Sequence, residues 1–166
     1  TAVTFLCDYI RLMTLGSDKA HEMETLMDEE IETHHNDQLE ISEAVNKAAE
    51  AMPALGIVAA VLGVIHTMGS ITEPPEVLGH LIGAALVGTF LGVLLSYGFI
   101  GPMASALKGR ANTDTKYFVC MKAGLMAYMQ GYAPAVSVEF ARKTLFAHER
   151  PTFYDVEDAV AELPAA

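Results

Sequence analysis

Carrying an ion across an apolar barrier requires a group that can take up charge near mid-bilayer. Asp, Glu, His or Lys usually supplies it, at an energetic cost that function tolerates. Two stretches of the chain, Ala51–Thr72 and Val77–Leu107, contain no Asp, Glu, Lys or Arg. His66 and His80 lie toward the ends that the short link joins, and His66 reads as an interfacial polar end instead of a proton relay. Thr89 is the one hydroxyl deep in the second stretch. Its plain role is a bond back to the Ala85 carbonyl one turn earlier; the alternative is an oxygen on an ion path. If this protein moves ions, the titrating carboxylate must come from another chain or from sequence outside this one.

Other chemistry-bearing residues point the same way. His21, His34 and His35 lack a metal-ligand spacing, so no metal site, catalytic group or cofactor is expected. Cys7 and Cys120 form no CxxC and read as reduced thiols. Small residues recur at four-residue spacing in the second stretch, as Ala84, Gly88, Gly92 and Ser96, and the first stretch has Gly56, Ala60 and Gly63. In lipid, apolar side chains gain little by leaving acyl chains, so helices associate through close backbone approach at such residues. The ladder is therefore expected to pack helices tightly, between subunits, in preference to marking a loosely packed Gly-rich anchor.

The elements that must position these residues are legible from charge and period. The chain is 52% apolar with a net charge of −11, and its acidity argues against nucleic acid, since no broad face could neutralise phosphates. The two uncharged stretches exceed the roughly 20 residues needed to span a bilayer as helix. The predicted class is all-α and integral to a membrane: a two-span hairpin with helical segments on both sides. The expected organisation is a helical segment over 1–47, a span over 48–70, a loop over 71–76, a span over 77–107 and C-terminal helices over 108–166.

Thr1–Leu15 reads as an amphipathic helix offering Phe5, Leu6, Ile10 and Leu12, ended by Gly16–Ser17. Asp18 is placed to cap the next helix, where Met23, Met27 and Ile31 recur at helical spacing. The acidic run around Glu22–Glu32 is a solvated face by default, with docking of a basic partner as the alternative. Pro53 is expected in the first turn of its span, where a missing N–H costs nothing. Pro102, after Gly101, is expected to kink or end the second helix, whose uncharged length of about 46 Å overshoots a hydrocarbon core of about 30 Å. Beyond it, Thr113–Gln130 and Ala135–Phe146 read as helices around a Gly131–Pro134 turn. The tail from Pro151 is acidic, with a mobile end. Basic residues flank the spans at Lys108 and Arg110 and are absent from the loop, which carries Glu73 and Glu76; both ends are thus expected on the cytoplasmic side. The start at Thr1, with no Met, suggests a longer protein upstream.

Several blocks together carry a resemblance. Met52–His66 (MPALGIVAAVLGVIH), Val87–Gly92 (VGTFLG), Ser96–Pro102 (SYGFIGP), Leu26–His34 (LMDEEIETH), Gly131–Pro134 and Val138–Leu145 resemble the MotA family of flagellar motor stator subunits. The resemblance implies a four-span protein of the bacterial inner membrane whose last two spans lie here. It implies a pentamer around a single-span partner, MotB, which supplies the proton-carrying aspartate and the peptidoglycan anchor, and torque on the rotor protein FliG. By position, Pro53 and Pro102 match prolines that couple ion binding to movement, and Thr89 matches a hydroxyl beside the partner's aspartate. Ala60 stands where sodium-driven relatives carry threonine, which implies H+ as the transported ion. Glu30 falls in a charged block that faces the rotor. The TolQ/ExbB type of envelope transducer is the nearest alternative, and a non-conducting membrane scaffold the next; the charged blocks at Asp28–His34 and Glu139–Leu145 favour the flagellar type.

Overall fold

The computed structural model describes residues 2–16 and 19–162. Every element among them is helical, as expected: α1 (Ala2–Thr14), α2 (Ala20–Met68), α3 (Pro75–Val93), a π-helical turn (Leu94–Ile100), α4 (Gly101–Met129), α5 (Pro134–Thr144) and α6 (Phe153–Ala161). The chain divides into two compact units. Residues up to Asn36 and from Ala111 onward form one, and Asp37–Arg110 forms the other. Helices α2 and α4 each contribute to both.

The first unit has a core of ordinary protein type. Met23, Met27 and Ile31, at helical spacing on α2, are buried as predicted, and they meet Leu125 and Met126 of α4. On α1 the buried residues are Phe5 and Tyr9, one turn apart, with ring centroids 4.6 Å apart. Ile10, offered for this face by its type, is exposed instead. Tyr9 can enter the core because its hydroxyl finds Glu30 Oε2 at 2.8 Å, satisfying the polar tip that burial would otherwise strand. Ser17 and Asp18, the expected helix stop and cap, lie outside the described residues.

α4 ends at Met129 and the chain turns at Gly131, whose φ of +88° suits a residue without Cβ, with Tyr132 N–H closing back on Ala127 O at 3.2 Å. Pro134 then opens α5. Within the tail expected from Pro151, Phe153–Ala161 forms α6 and Glu162 is its C-cap. Thr152 caps it, its Oγ1 accepting from Asp155 N–H while Asp155 Oδ2 accepts from Thr152 N–H. The expected mobile end lies outside the described residues.

The second unit is a hairpin. α2 and the run from α3 into α4 are each long and apolar enough to cross a membrane. In a soluble protein such helices would be buried; here Leu62, Ile65 and Phe90 are 61%, 62% and 65% exposed. Burying one such side chain is worth about 1.5–3 kcal/mol, so more than ten left in water would outweigh a typical fold stability of about 5–15 kcal/mol. Lipid or neighbouring apolar helices must cover this surface. Glu73 N–H bonds Ser70 O at 2.9 Å in the connecting turn, and Pro75 sets the first turn of α3.

The expectation for Pro53 needs correction, and of the two alternatives for Pro102 the helix end is excluded. Pro53 is inside the 49-residue α2, far from its first turn. α2 is continuous from its acidic part into the span, so Pro53 withholds an N–H from the Ala49 carbonyl. Pro102 does not end its helix either. The backbone widens into the π-helical turn just before it, Gly101 N–H bonding Ser96 O, and then continues as α4 to Met129. A wide turn absorbs the bond that Pro102 cannot make without stopping the helix. Gly101 is required there, because a Cβ would stand 2.9 Å from Ser96 O.

Candidate functional site

The small residues are consumed inside the hairpin. A Cβ built on Gly92 would lie 2.6 Å from Met52 O and 3.1 Å from Gly56 Cα. One on Gly88 would lie 2.8 Å from Ala59 Cβ, and one on Gly63 would lie 2.8 Å from Ala85 Cα. Gly56, Gly63, Gly88 and Gly92 therefore form a seam between α2 and α3 of one chain, which corrects the expectation that the ladder joins subunits. What remains for neighbours is the outer face, where large apolar side chains such as Leu62 and Phe90 stand exposed beside Gly83 and Ala84.

The phase of the ladder also differs. Ala84 is exposed, while Ala85 is buried. Ser96 is buried eleven residues on, close to three full turns at 3.6 residues per turn, so Ala85, Gly88, Gly92 and Ser96 keep one face. A strict four-residue count starting at Ala84 drifts off that face. On α2 the seam runs through Met52, Gly56, Ala59 and Gly63, with Ala60 half-buried beside it.

Thr89 sits within this seam, half-buried, and its hydroxyl donates to the Gly56 carbonyl of α2 at 3.2 Å. The expected bond to Ala85 on its own helix is replaced by one across the interface, available because two glycine backbones approach there. No Asp, Glu, Lys or Arg belongs to either apolar stretch, and the polar group that Thr89 meets across the seam is a backbone carbonyl. Chemically, such a site can offer oxygen lone pairs to a proton donor; it cannot itself titrate.

Pro53 and Pro102, remote in sequence, stand on the wall of one cleft of about 650 Å³, with Glu50, Ser96, Tyr97 and Ser105. Each proline withholds an N–H from this region of helix backbone. Glu50 was not singled out in the sequence; Asn46 Nδ2 one turn earlier donates to its Oε1 at 2.7 Å and orients it. Just beyond, Ser42 Oγ donates to Ala104 O at 2.9 Å and pins α4 against α2.

In the first unit, Glu30 is exposed but occupied by Tyr9. Burial, then the bond to Glu30, pushes the Tyr9 ionisation well above the usual phenol range. His34 rests on the Phe118 ring at 4.7 Å, and His35 Nδ1 is 2.7 Å from Thr115 Oγ1, so both histidines serve packing. Lys122 pairs with Asp28 at 2.6 Å and Glu24 at 3.4 Å, drawing part of the acidic run into internal contacts. Arg142 holds Glu139 through two 2.6 Å bonds and reaches Pro151 O at 2.8 Å. The guanidinium keeps the Glu139 carboxyl below its ordinary range. Cys7 and Cys120 are free, and burial raises the Cys120 thiol.

The model of the MotA/TolQ/ExbB proton channel family matches residues 4–119. Motility protein A of Escherichia coli is 46% identical over 94% of this chain and 53% of its own length. Chemotaxis protein LafT of Vibrio parahaemolyticus is 36% identical over 96% of this chain and 56% of its own length. The flagellar MotAB stator complex from Bacillus subtilis contains a chain with a TM-score of 0.72 at 28% identity, covering 89% of this chain and 55% of that one. C. jejuni MotAB gives a TM-score of 0.81 at 20% identity, a likeness of fold, over 89% of this chain and 58% of that one. The chain spans about half the length of the curated relatives it matches.

Proposed function

The chain belongs to the MotA/TolQ/ExbB proton channel family, and on that premise we propose that it is the C-terminal portion of a MotA-type stator subunit of the flagellar motor. The observation that carries this reading is a hairpin seam that holds the Thr89 hydroxyl against Gly56, between two stretches without Asp, Glu, Lys or Arg. A proton channel subunit built this way needs a carboxylate from elsewhere, and a MotB-type single-span partner has one to give. The solved relatives are MotAB complexes, which supports that partner, and the likeness to motility proteins favours the flagellar type over an envelope transducer.

In this reading the apolar part of α2 and the run from α3 through the π-helical turn into the start of α4 are the last two spans. The turn at Gly69–Pro74 faces outward, and both ends of the chain are cytoplasmic, following Lys108 and Arg110. Copies assemble as a pentamer through the exposed apolar face, around the partner, and act on FliG. The ion is H+, since the Ala60 methyl offers sodium no ligand. Pro53 and Pro102 couple loading to movement across their shared cleft. The residue divisions expected from the sequence, 48–70 and 77–107 for the spans, remain part of this reading.

The test is proton influx into cells expressing the full-length subunit. Influx is expected only with the single-span partner and is lost when that partner's membrane Asp is changed to Asn. Swimming speed follows the proton gradient and ignores external sodium. Influx from the subunit alone overturns the mechanism, and cells that stop on sodium withdrawal at constant proton-motive force overturn the assignment of the ion.

A further inference from the structure

A threonine hydroxyl has one proton to give and two lone pairs to offer. In Thr89 the proton is committed, because Oγ1 donates it across the seam to the Gly56 carbonyl at 3.2 Å. That bond exists because residue 56 has no side chain. A Cβ on Gly56 would lie 2.9 Å from Gly88 O, 3.2 Å from Thr89 Cα and 3.3 Å from Gly92 Cα. All three are backbone atoms of α3, so no flexible group can give way, and the helices would have to part. Gly56 thus permits the approach and also supplies the acceptor.

We propose that Gly56 is a positioning residue for the ion path, holding Thr89 as a hydrogen-bond acceptor only, so that it receives a protonated carboxyl group or a water molecule and offers no O–H to an ionised carboxylate. This rests on the reading of Thr89 as a residue lining the path. An O–H donated to a carboxylate favours its charged form. Withholding that donor favours the proton-loaded form of the partner's acid, so loading occurs at less acidic pH than it would beside a freely turning hydroxyl. The same device suits a carrier that must be neutral to move in an apolar seam.

Proton uptake by the full-length subunit with its single-span partner, measured against pH in vesicles, separates the possibilities. Gly56→Ala frees the hydroxyl and moves the midpoint of uptake about one pH unit toward acid. In a Thr89→Val background, adding Gly56→Ala leaves the midpoint where Thr89→Val put it. Gly83→Ala, where a Cβ meets nothing within 4 Å, leaves the wild-type midpoint unchanged. An equal acid shift from Gly56→Ala in both backgrounds means that Gly56 acts through packing alone and overturns the proposal. Wild-type uptake by Thr89→Val overturns the path-lining reading itself. If Gly56→Ala does not co-purify with the partner, the isotope-edited infrared band of the Gly56 carbonyl decides. Thr89→Val should raise its frequency by removing the bond, and an unmoved band overturns the proposal.

Discussion

Adding one methyl group at Gly92 tests the seam most directly. A Cβ there would stand 2.6 Å from Met52 O, 3.1 Å from Gly56 Cα and 3.3 Å from Gly56 N, all backbone atoms of α2. Ordinary contact needs about 3.5 Å, so the helices must separate by about 1 Å. The Thr89 to Gly56 bond, already 3.2 Å, would then stretch past hydrogen-bonding range. Its loss costs about 1 kcal/mol, and forcing an extra carbon into a packed interface costs about 1–3 kcal/mol more. Alanine returns about 1 kcal/mol as the better helix former. Gly92→Ala should therefore destabilise the hairpin by about 1–3 kcal/mol, roughly a five- to 150-fold change in the folding equilibrium. Gly83→Ala supplies the control, since its Cβ meets open space; it receives only the helix-forming gain. Both variants of the full-length protein can be unfolded in mixed micelles by titrating a denaturing detergent, with helicity and pulse proteolysis as readouts. Equal midpoints for Gly92→Ala and Gly83→Ala would refute the seam and return the small residues to some other surface.

The proline cleft and the first unit each give a further expected outcome. Pro102→Ala restores an N–H to α4 and should let the π-helical turn relax to α register. A disulfide engineered between position 46 and position 105 should then re-form best one residue away, with membrane insertion intact and swimming reduced; an unchanged crosslinking pattern refutes the π-turn account. Arg142 depresses the Glu139 pKa, so the contribution of that pair is present above the usual glutamate range near about 4.3 and is lost as pH falls through the lower folded value. Protection factors over α5, which divide out the intrinsic slowing of amide exchange in acid, should fall on acidification in the wild type, and Glu139→Gln should remove that fall; identical protection profiles for the two would exclude the pair as its cause.

The sequence alone determined the features that depend on one residue at a time or on local period. The transfer cost of charge excludes Asp, Glu, Lys and Arg from Ala51–Thr72 and Val77–Leu107, so the two spans and the all-α class are visible without coordinates. Met23, Met27 and Ile31 declare a buried helix face by spacing alone, and Gly131 declares a turn because little else accepts its φ of +88°. Contacts between elements were decided only by the tertiary structure. A glycine has no side chain to announce which backbone comes close, so the sequence could not say whether Gly56, Gly88 and Gly92 meet their own hairpin or another copy. The partner of the Thr89 hydroxyl, the phase that buries Ala85 and exposes Ala84, and the hold of Tyr9 on Glu30 are likewise set by register between helices. Register is a property of pairs of surfaces. The same is true of Pro53 and Pro102, which are two local defects in the chain and one cleft only once α2 and α4 lie side by side.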